Sequence, residues 1–204
     1  MITNKLIKGI LAGMSIALAG TFYLSVDNPV IGGVLFSLGL LTICIFGWDL
    51  YTGKCCYWID NPKQNTLILV TSFFGNFIGT YLTALLLRLS GLEIVDKVIS
   101  IVEHKYSNSY PQTFILAIFC GILMSIAVLG YTKQKDDFGK FIIILLPITC
   151  FIIAKFEHVI ANMYYLSLAN NWTVESFIFL AICAIGNLIG CSLIPFTNIL
   201  LKNK

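Results

Sequence analysis

Charged residues in this 204-residue chain stand far apart, and long uncharged runs lie between them. The runs are Gly9–Val26, Val30–Trp48, Gln64–Leu87, Tyr106–Thr132, Phe141–Ala154 and Ser176–Leu201. A helix needs about 20 mostly apolar residues to cross a bilayer core. Five of the runs are long enough, while Phe141–Ala154 is too short alone. It is followed by Lys155-Phe156-Glu157-His158 and a second apolar piece, Val159–Leu168. The pattern predicts an all-α membrane protein with six passages, the fifth broken near mid-membrane. With 58% hydrophobic and 11% charged residues, the chain has too little polar surface to cover a water-facing globule. A net charge of +3 without a long basic run excludes a nucleic-acid partner, leaving the lipid bilayer as the surroundings.

Lys5 and Lys8 ahead of an apolar body resemble the start of a cleaved signal peptide. The body is a full span, however, and Asp27-Asn28-Pro29 reads as a turn instead of a small-residue cleavage site, so a retained helix is expected. Nine lysines (5, 8, 54, 63, 133, 135, 140, 202 and 204) fall on one side of the predicted passages. Arg88, Lys97 and Lys105 fall on the other, and Lys155 is left within the membrane. The richer side is expected to be cytoplasmic, with both termini inside a multi-pass protein of the cell membrane. In the longest outer stretch, Ser90-Gly91-Leu92-Glu93 has capping-box spacing. Leu92, Val95, Ile99 and Val102 then recur at helical intervals, predicting an amphipathic helix on the outer surface.

The seven cysteines include no Cys-x-x-Cys pair, so they read as small core hydrophobes, with no metal and no cofactor expected. Asn171-Trp172-Thr173 is a formal glycosylation sequon on the outer side, and nothing else speaks for a secretory-pathway host.

An internal repeat carries more information. Gly75-Asn76-Phe77-Ile78-Gly79 recurs as Gly186-Asn187-Leu188-Ile189-Gly190, 111 positions later. Met14-Ser15-Ile16-Ala17 recurs as Met124-Ser125-Ile126-Ala127 at an offset of 110. The pair marks two repeats, about 5–90 and 111–201, within one transmembrane domain spanning 1–204. Three passages per repeat makes the repeat an inverted one, which in transporters places the substrate path at the repeat interface beside interrupted helices. Both pentamers are Gly-x-x-x-Gly, which lets helices approach closely. Asn76 and Asn187 put costly amides in mid-membrane and mark either a polar pathway or a helix–helix tie.

Polar residues also interrupt the middle passage of each repeat. The second ends in Asp49-Leu50-Tyr51-Thr52-Gly53-Lys54 and resumes with Cys55-Cys56-Tyr57-Trp58-Ile59; the fifth breaks at Lys155-Phe156-Glu157-His158. For the second, a discontinuous helix and a simple cytoplasmic loop both fit the residues. For the fifth, intramembrane Glu157 and His158 are functional candidates, because ionisable groups at that depth are costly.

These residues resemble the formate/nitrite transporter family. The resemblance rests on Phe36-Ser37-Leu38-Gly39-Leu40 leading to Asp49-Leu50-Tyr51-Thr52-Gly53, on the paired Gly-Asn-x-x-Gly motifs, and on Phe156-Glu157-His158-Val159-Ile160-Ala161-Asn162-Met163-Tyr164. It implies an aquaporin-like six-helix bundle of two inverted three-helix repeats with helices 2 and 5 broken. It also implies a homopentamer with one pore per subunit, passing small monovalent anions such as formate, nitrite or hydrosulfide. The matching pore residues are Leu50 and Thr52 in the loop, Phe151 at the facing constriction, His158 at the centre and Lys105 in the outer vestibule. Thr52 is then expected to bond the His158 ring, and Glu157 to brace backbone amides of the breaks.

Ser125 stands where many members have Asn, Lys155 where a small residue is usual, and Tyr51 where Phe is common. These departures bear on the choice of anion more than on the fold. Lys155 is expected either to pair with Asp49 or Glu157 or to face the permeant ion. A neutral-solute channel of aquaporin type is the alternative on topology, although the duplicated Asn-Pro-Ala signature is missing. A membrane enzyme is disfavoured, because no nucleophile or metal set accompanies Asp49, Glu157 and His158.

Overall fold

The computed structural model of the chain describes residues 2–202; Lys204, counted above on the basic side, lies outside them. All regular structure among the described residues is helical, with no strand. The order is α1 (Ile2–Leu24), α2 (Pro29–Phe46), α3 (Tyr51–Cys55), α4 (Pro62–Leu89), α5 (Val95–Tyr106), α6 (Tyr110–Lys133), α7 (Asp137–Ile153), α8 (Val159–Ala169) and α9 (Val174–Lys202), with a single 3-10 turn at Trp58–Asp60. By length and composition α1, α2, α4, α6 and α9 can each cross a membrane; α8 is an apolar helix too short to do so.

Local chemistry sets the helix starts. Asn28 caps α2, its side chain accepting the Val30 and Ile31 N–H groups at 2.9 and 3.2 Å, with Pro29 at the first turn where its missing donor costs nothing. Asn61 and Pro62 begin α4 in the same way, and Asp136 caps α7 through the Gly139 N–H at 2.6 Å. The outer stretch departs from its expected start. Ser90 closes α4, its hydroxyl donating to Leu87 O at 2.7 Å, and Gly91 turns the chain at φ 74°, so the capping box of 90–93 is not made. The face α5 buries is also shifted from the expected one: Ile94, Val98 and Val102 are buried, while Leu92 and Ile99 are exposed. Packing against α8 selects that face.

Two helix pairs form the frame. α1 packs along α4 and α6 along α9, with α2 against α1 and α7 against α6. α2 and α7 meet each other, while the short helices cross over: α8 packs on α4, and α3 packs on α9. Gly79 lies against the Ile10 carbonyl and Gly190 against the Ile118 carbonyl, and neither place has room for a Cβ.

The same hydrogen-bond set occurs twice. Asn76 Nδ2 donates to Gly9 O at 2.8 Å and Asp49 O at 3.0 Å, and its Oδ1 accepts the Tyr51 N–H at 2.8 Å. Asn187 Nδ2 donates to Ala117 O and Glu157 O, both at 2.8 Å, and its Oδ1 accepts the Val159 N–H at 2.9 Å. Of the two readings offered for these asparagines, the tie between helices is the one realised; neither lines a cavity described below.

This correspondence corrects one expectation. Asn76 and Asn187 keep the offset of 111, but Gly9 answers to Ala117 and Ile10 to Ile118, an offset of 108. The Met-Ser-Ile-Ala match at 110 is therefore out of structural register by two residues. A short identity among apolar residues costs nothing by chance, whereas register follows the carbonyl each amide can reach.

Both breaks turn on a residue in the left-handed region. α2 ends at Gly47, φ 64°, and the chain leaves α7 through Lys155, φ 54°. Asp49 and Leu50 are buried, so the first break is irregular backbone inside the protein and not a solvent loop. Such backbone is tolerated in a membrane protein only where its groups are satisfied internally, and the two asparagines do that here.

Replacing Asn187 with Ala strips partners from one N–H and two carbonyls at about 1–3 kcal/mol for each buried group left bare. The Asn187→Ala protein is expected to melt well below the parent in detergent and to be recovered in reduced yield. Asn187→Asp, which turns an unpaired carboxylate oxygen towards the Ala117 and Glu157 carbonyl oxygens, should melt no higher than Asn187→Ala. Thermal unfolding followed by size-exclusion chromatography checks the order.

Candidate functional site

The two breaks meet at the centre of the chain's fold. His158 is the N-cap of α8, and its Nδ1 accepts the Ala161 N–H at 3.2 Å. The neutral ring then carries its proton on Nε2, which lies 3.0 Å from Thr52 Oγ1 and donates to it. Thr52 sits in the first turn of α3, so this bond joins the two breaks. The Phe151 ring stacks on the imidazole, centroids 5.7 Å apart and planes 16° apart, and Phe36 meets Phe151 edge-on at 5.8 Å. Leu50 is the N-cap of α3, the place His158 holds in α8, and it is 1% exposed.

Two cavities approach this cluster from opposite ends of α6. One, about 440 Å³, is lined by Lys105, Leu116, Phe151, Lys155, His158 and Asn162 among others. The other, about 170 Å³, is lined by Trp48, Leu50, Lys54, Tyr57 and Tyr131. The first therefore ends on Phe151 and His158 and the second on Leu50, with the buried Thr52–His158 bond alongside.

Each break also carries a buried carboxylate just before its N-cap residue. Lys54 Nζ lies 2.8 Å from Asp49 Oδ1, and Lys105 Nζ lies 2.6 Å from Glu157 Oε2. Asn162 Nδ2 donates to the same Glu157 oxygen at 2.9 Å. The Tyr165 ring lies under Lys105, its centroid 6.0 Å from Nζ. Pairing is what lets a carboxylate stand in such a place, since an unpaired buried charge is costly.

One expectation is corrected by this arrangement and two are narrowed. Glu157 does not brace backbone amides with its side chain; its carboxylate holds Lys105 and Asn162. Lys155 pairs with neither Asp49 nor Glu157, because both are taken by other lysines and the left-handed turn carries Lys155 outward to the cavity wall. Lys105 lines the first cavity, the one on the side that the lysine count predicts to be outer, yet it is ion-paired and only 13% exposed, so little of its field is free.

The structure thus gathers Leu50, Thr52, Phe151 and His158, sets Lys105, Glu157 and Lys155 around the outer cavity, and leaves Asn76 and Asn187 as ties. Ser125 is fully buried on α6, its hydroxyl has no partner among the described residues, and it lines neither of these cavities. Asn162 is the polar residue that the sequence argument passed over: it is buried, it lines the outer cavity, and its Oδ1 is unpartnered among the described residues. The signal was present, since Asn162 follows His158 by four positions and shares its helix face. Among the described residues no group of three or more His, Cys, Asp or Glu converges to hold a metal.

A family model described as Formate/nitrite transporter matches residues 1–200. The Formate channel FocA of Haemophilus influenzae is 27% identical over 179 residues, covering 77% of this chain and 63% of that protein. The Formate channel BtFdhC of Bacillus thuringiensis is 33% identical over 149 residues, covering 68% of this chain and 58% of that protein. The matches thus span less than two thirds of the length of these relatives. A solved pentameric formate channel with formate bound superposes with a TM-score of 0.86 at 23% identity, covering 100% of this chain and 98% of that one, a likeness of fold. The matched family and relatives are channels and transporters, not enzymes, and the neutral-solute alternative finds no support among them.

The Lys105–Glu157 pair generates a stability prediction. Lys105→Gln leaves Glu157 charged and buried, and removing one partner of such a pair costs about 3–5 kcal/mol. The single variant is expected to melt markedly lower than the parent, and adding Glu157→Gln should recover most of the loss. Melting curves of the parent, both single variants and the double variant give the coupling.

Proposed function

The chain belongs to the formate/nitrite transporter family, and from that membership we propose that it passes small monovalent anions through a pore in each subunit of a homopentamer in the cytoplasmic membrane. Formate is the first candidate, because the similar proteins are named formate channels. Nitrite and hydrosulfide are the others. In this reading α2 with α3 and α7 with α8 form the broken second and fifth passages. The halves 5–90 and 111–201 have opposite orientation, and the nine-lysine side faces the cytoplasm.

One observation carries the reading. A fully buried cluster of Leu50, Thr52, Phe151 and His158 stands between two cavities that reach it from opposite ends of α6. Phe151 and Leu50 act as apolar constrictions that a hydrated ion cannot pass without losing water. Losing hydration costs an anion several kcal/mol. The Nε2–H of His158, shared with Thr52 in the resting geometry, is the donor that compensates at the narrowest point. Placing a second proton on Nδ1 gives up the bond to Ala161, so the ring works first as a hydrogen-bond donor. Asp49 and Glu157 do not repel the anion, because each carboxylate is already neutralised by its lysine.

Purified protein in liposomes should take up formate, with nitrite and hydrosulfide compared in the same assay. An inert liposome preparation of the folded protein overturns the reading. Phe151→Ala and Leu50→Val are expected to raise anion flux and widen the range of anions accepted, measured as uptake rates for formate against larger carboxylates. His158→Phe, which keeps the ring stack but removes the donor, is expected to lose most anion flux. Flux and anion preference equal to the parent in a folded Phe variant would assign His158 a bracing role only.

A further inference from the structure

The two breaks correspond residue by residue at the offset of 108: Asp49 with Glu157, Leu50 with His158 and Gly47 with Lys155. Gly47 and Lys155 both stand in the left-handed region, at φ 64° and 54°. Glycine adopts that conformation without cost, whereas a long L side chain avoids it. The second repeat therefore holds a lysine where its twin uses glycine. Strain of that kind points to function when the side chain's surroundings show a use for it.

The surroundings do. Lys155 is exposed and lines the outer cavity together with Phe151 and His158. Among the described residues it makes no ion pair and no side-chain hydrogen bond. The other lysines of the cavity are committed: Lys105 to Glu157, and Lys97 to Val26 O at 2.5 Å and Asp27 Oδ1 at 3.2 Å. Glu157 is the carboxylate among the described lining residues, and it is neutralised by Lys105. His104 also lines the cavity. Lys155 is thus the lysine there whose field is not cancelled by a carboxylate.

We propose that Lys155 is the anion-recruiting residue of the outer cavity, drawing small monovalent anions such as carboxylates to the mouth of the Phe151–His158 constriction. This rests on the anion-channel reading above; Lys105, which the resemblance places in the outer vestibule, is instead held by Glu157. A cleft with low-dielectric walls focuses the field of an uncancelled cation and raises the local anion concentration. The ammonium brings three donors and no partner to displace, so an arriving carboxylate gains a charge-assisted hydrogen bond without breaking another.

The test reconstitutes the full chain in liposomes and measures formate uptake for the parent, Lys155→Gly, Lys155→Asn and Lys155→Arg. Ionic strength is set at about 0.01 M and about 0.15 M, where the screening length falls from about 30 to about 8 Å. Glycine and asparagine both suit the left-handed turn, so both variants should fold, and either one suffices. The expected result is an uptake about three- to tenfold slower for Gly and Asn at low ionic strength, narrowing towards the parent at high ionic strength. The loss should appear as a raised KM with the maximal rate kept, and Arg should behave as the parent does. Uptake equal to the parent at low ionic strength, or an equal loss at both, overturns the role of Lys155. A parent that carries no formate, nitrite or hydrosulfide overturns the channel reading instead.

Discussion

Two asparagine side chains hold the structure together at the depth where it is least regular. A helix broken inside a membrane leaves amides and carbonyls that water cannot reach, and each bare group costs free energy. Asn76 and Asn187 answer this with three bonds each, two donated and one accepted, tying α1 to α4 and α6 to α9 while closing the break of the same repeat. The glycines that share their motifs let the paired helices come close enough for those bonds to form. Without the ties, the Tyr51 and Val159 N–H groups at the starts of α3 and α8 and the Asp49 and Glu157 carbonyls before them lose their buried partners.

Once the breaks are fixed, their N-cap positions become the centre of the molecule. One repeat places Leu50 there and the other His158, so the same backbone geometry carries an apolar side chain on one side and a hydrogen-bond donor on the other. The asymmetry extends to neighbouring positions. Both repeats place a carboxylate just before the N-cap and neutralise it with a lysine, from the same half-helix for Asp49 and from α5 for Glu157. In a path proposed for anions, that neutralisation removes the largest electrostatic barrier the chain itself supplies.

Much of this was legible because intramembrane polarity is expensive. The uncharged runs, the Gly-Asn pentamers, and the polar interruptions at 49–54 and 155–158 stand out from an otherwise apolar chain. The membrane class follows from them, while Leu50, Thr52, Phe151 and His158 were picked out as a cluster only by the family resemblance. Apart from the capping box at Ser90, which a local turn pre-empts, what was misread depended on partners far away in sequence. The carboxylate of Glu157 finds Lys105, 52 positions earlier, and the register of the first helices follows which carbonyl each asparagine reaches, not the Met-Ser-Ile-Ala identity. The amphipathic face of α5 was displaced for the same reason, because α8 and not helical periodicity decides which side is covered.

The sequence by itself determined that this chain is helical and membrane-embedded and that its fifth passage is interrupted. Those properties reside in single residues and short runs: apolar length, and charges too costly to leave in lipid without purpose. Only the tertiary structure decided which charges cancel and which remain. Lys105 and Lys155 are equally cationic in the sequence, but one lies against a buried carboxylate and the other is turned to the cavity wall by a left-handed backbone. An ion pair forms only where N and O come within about 4 Å, so a lysine's role is set by what folding brings beside it and not by its place in the chain.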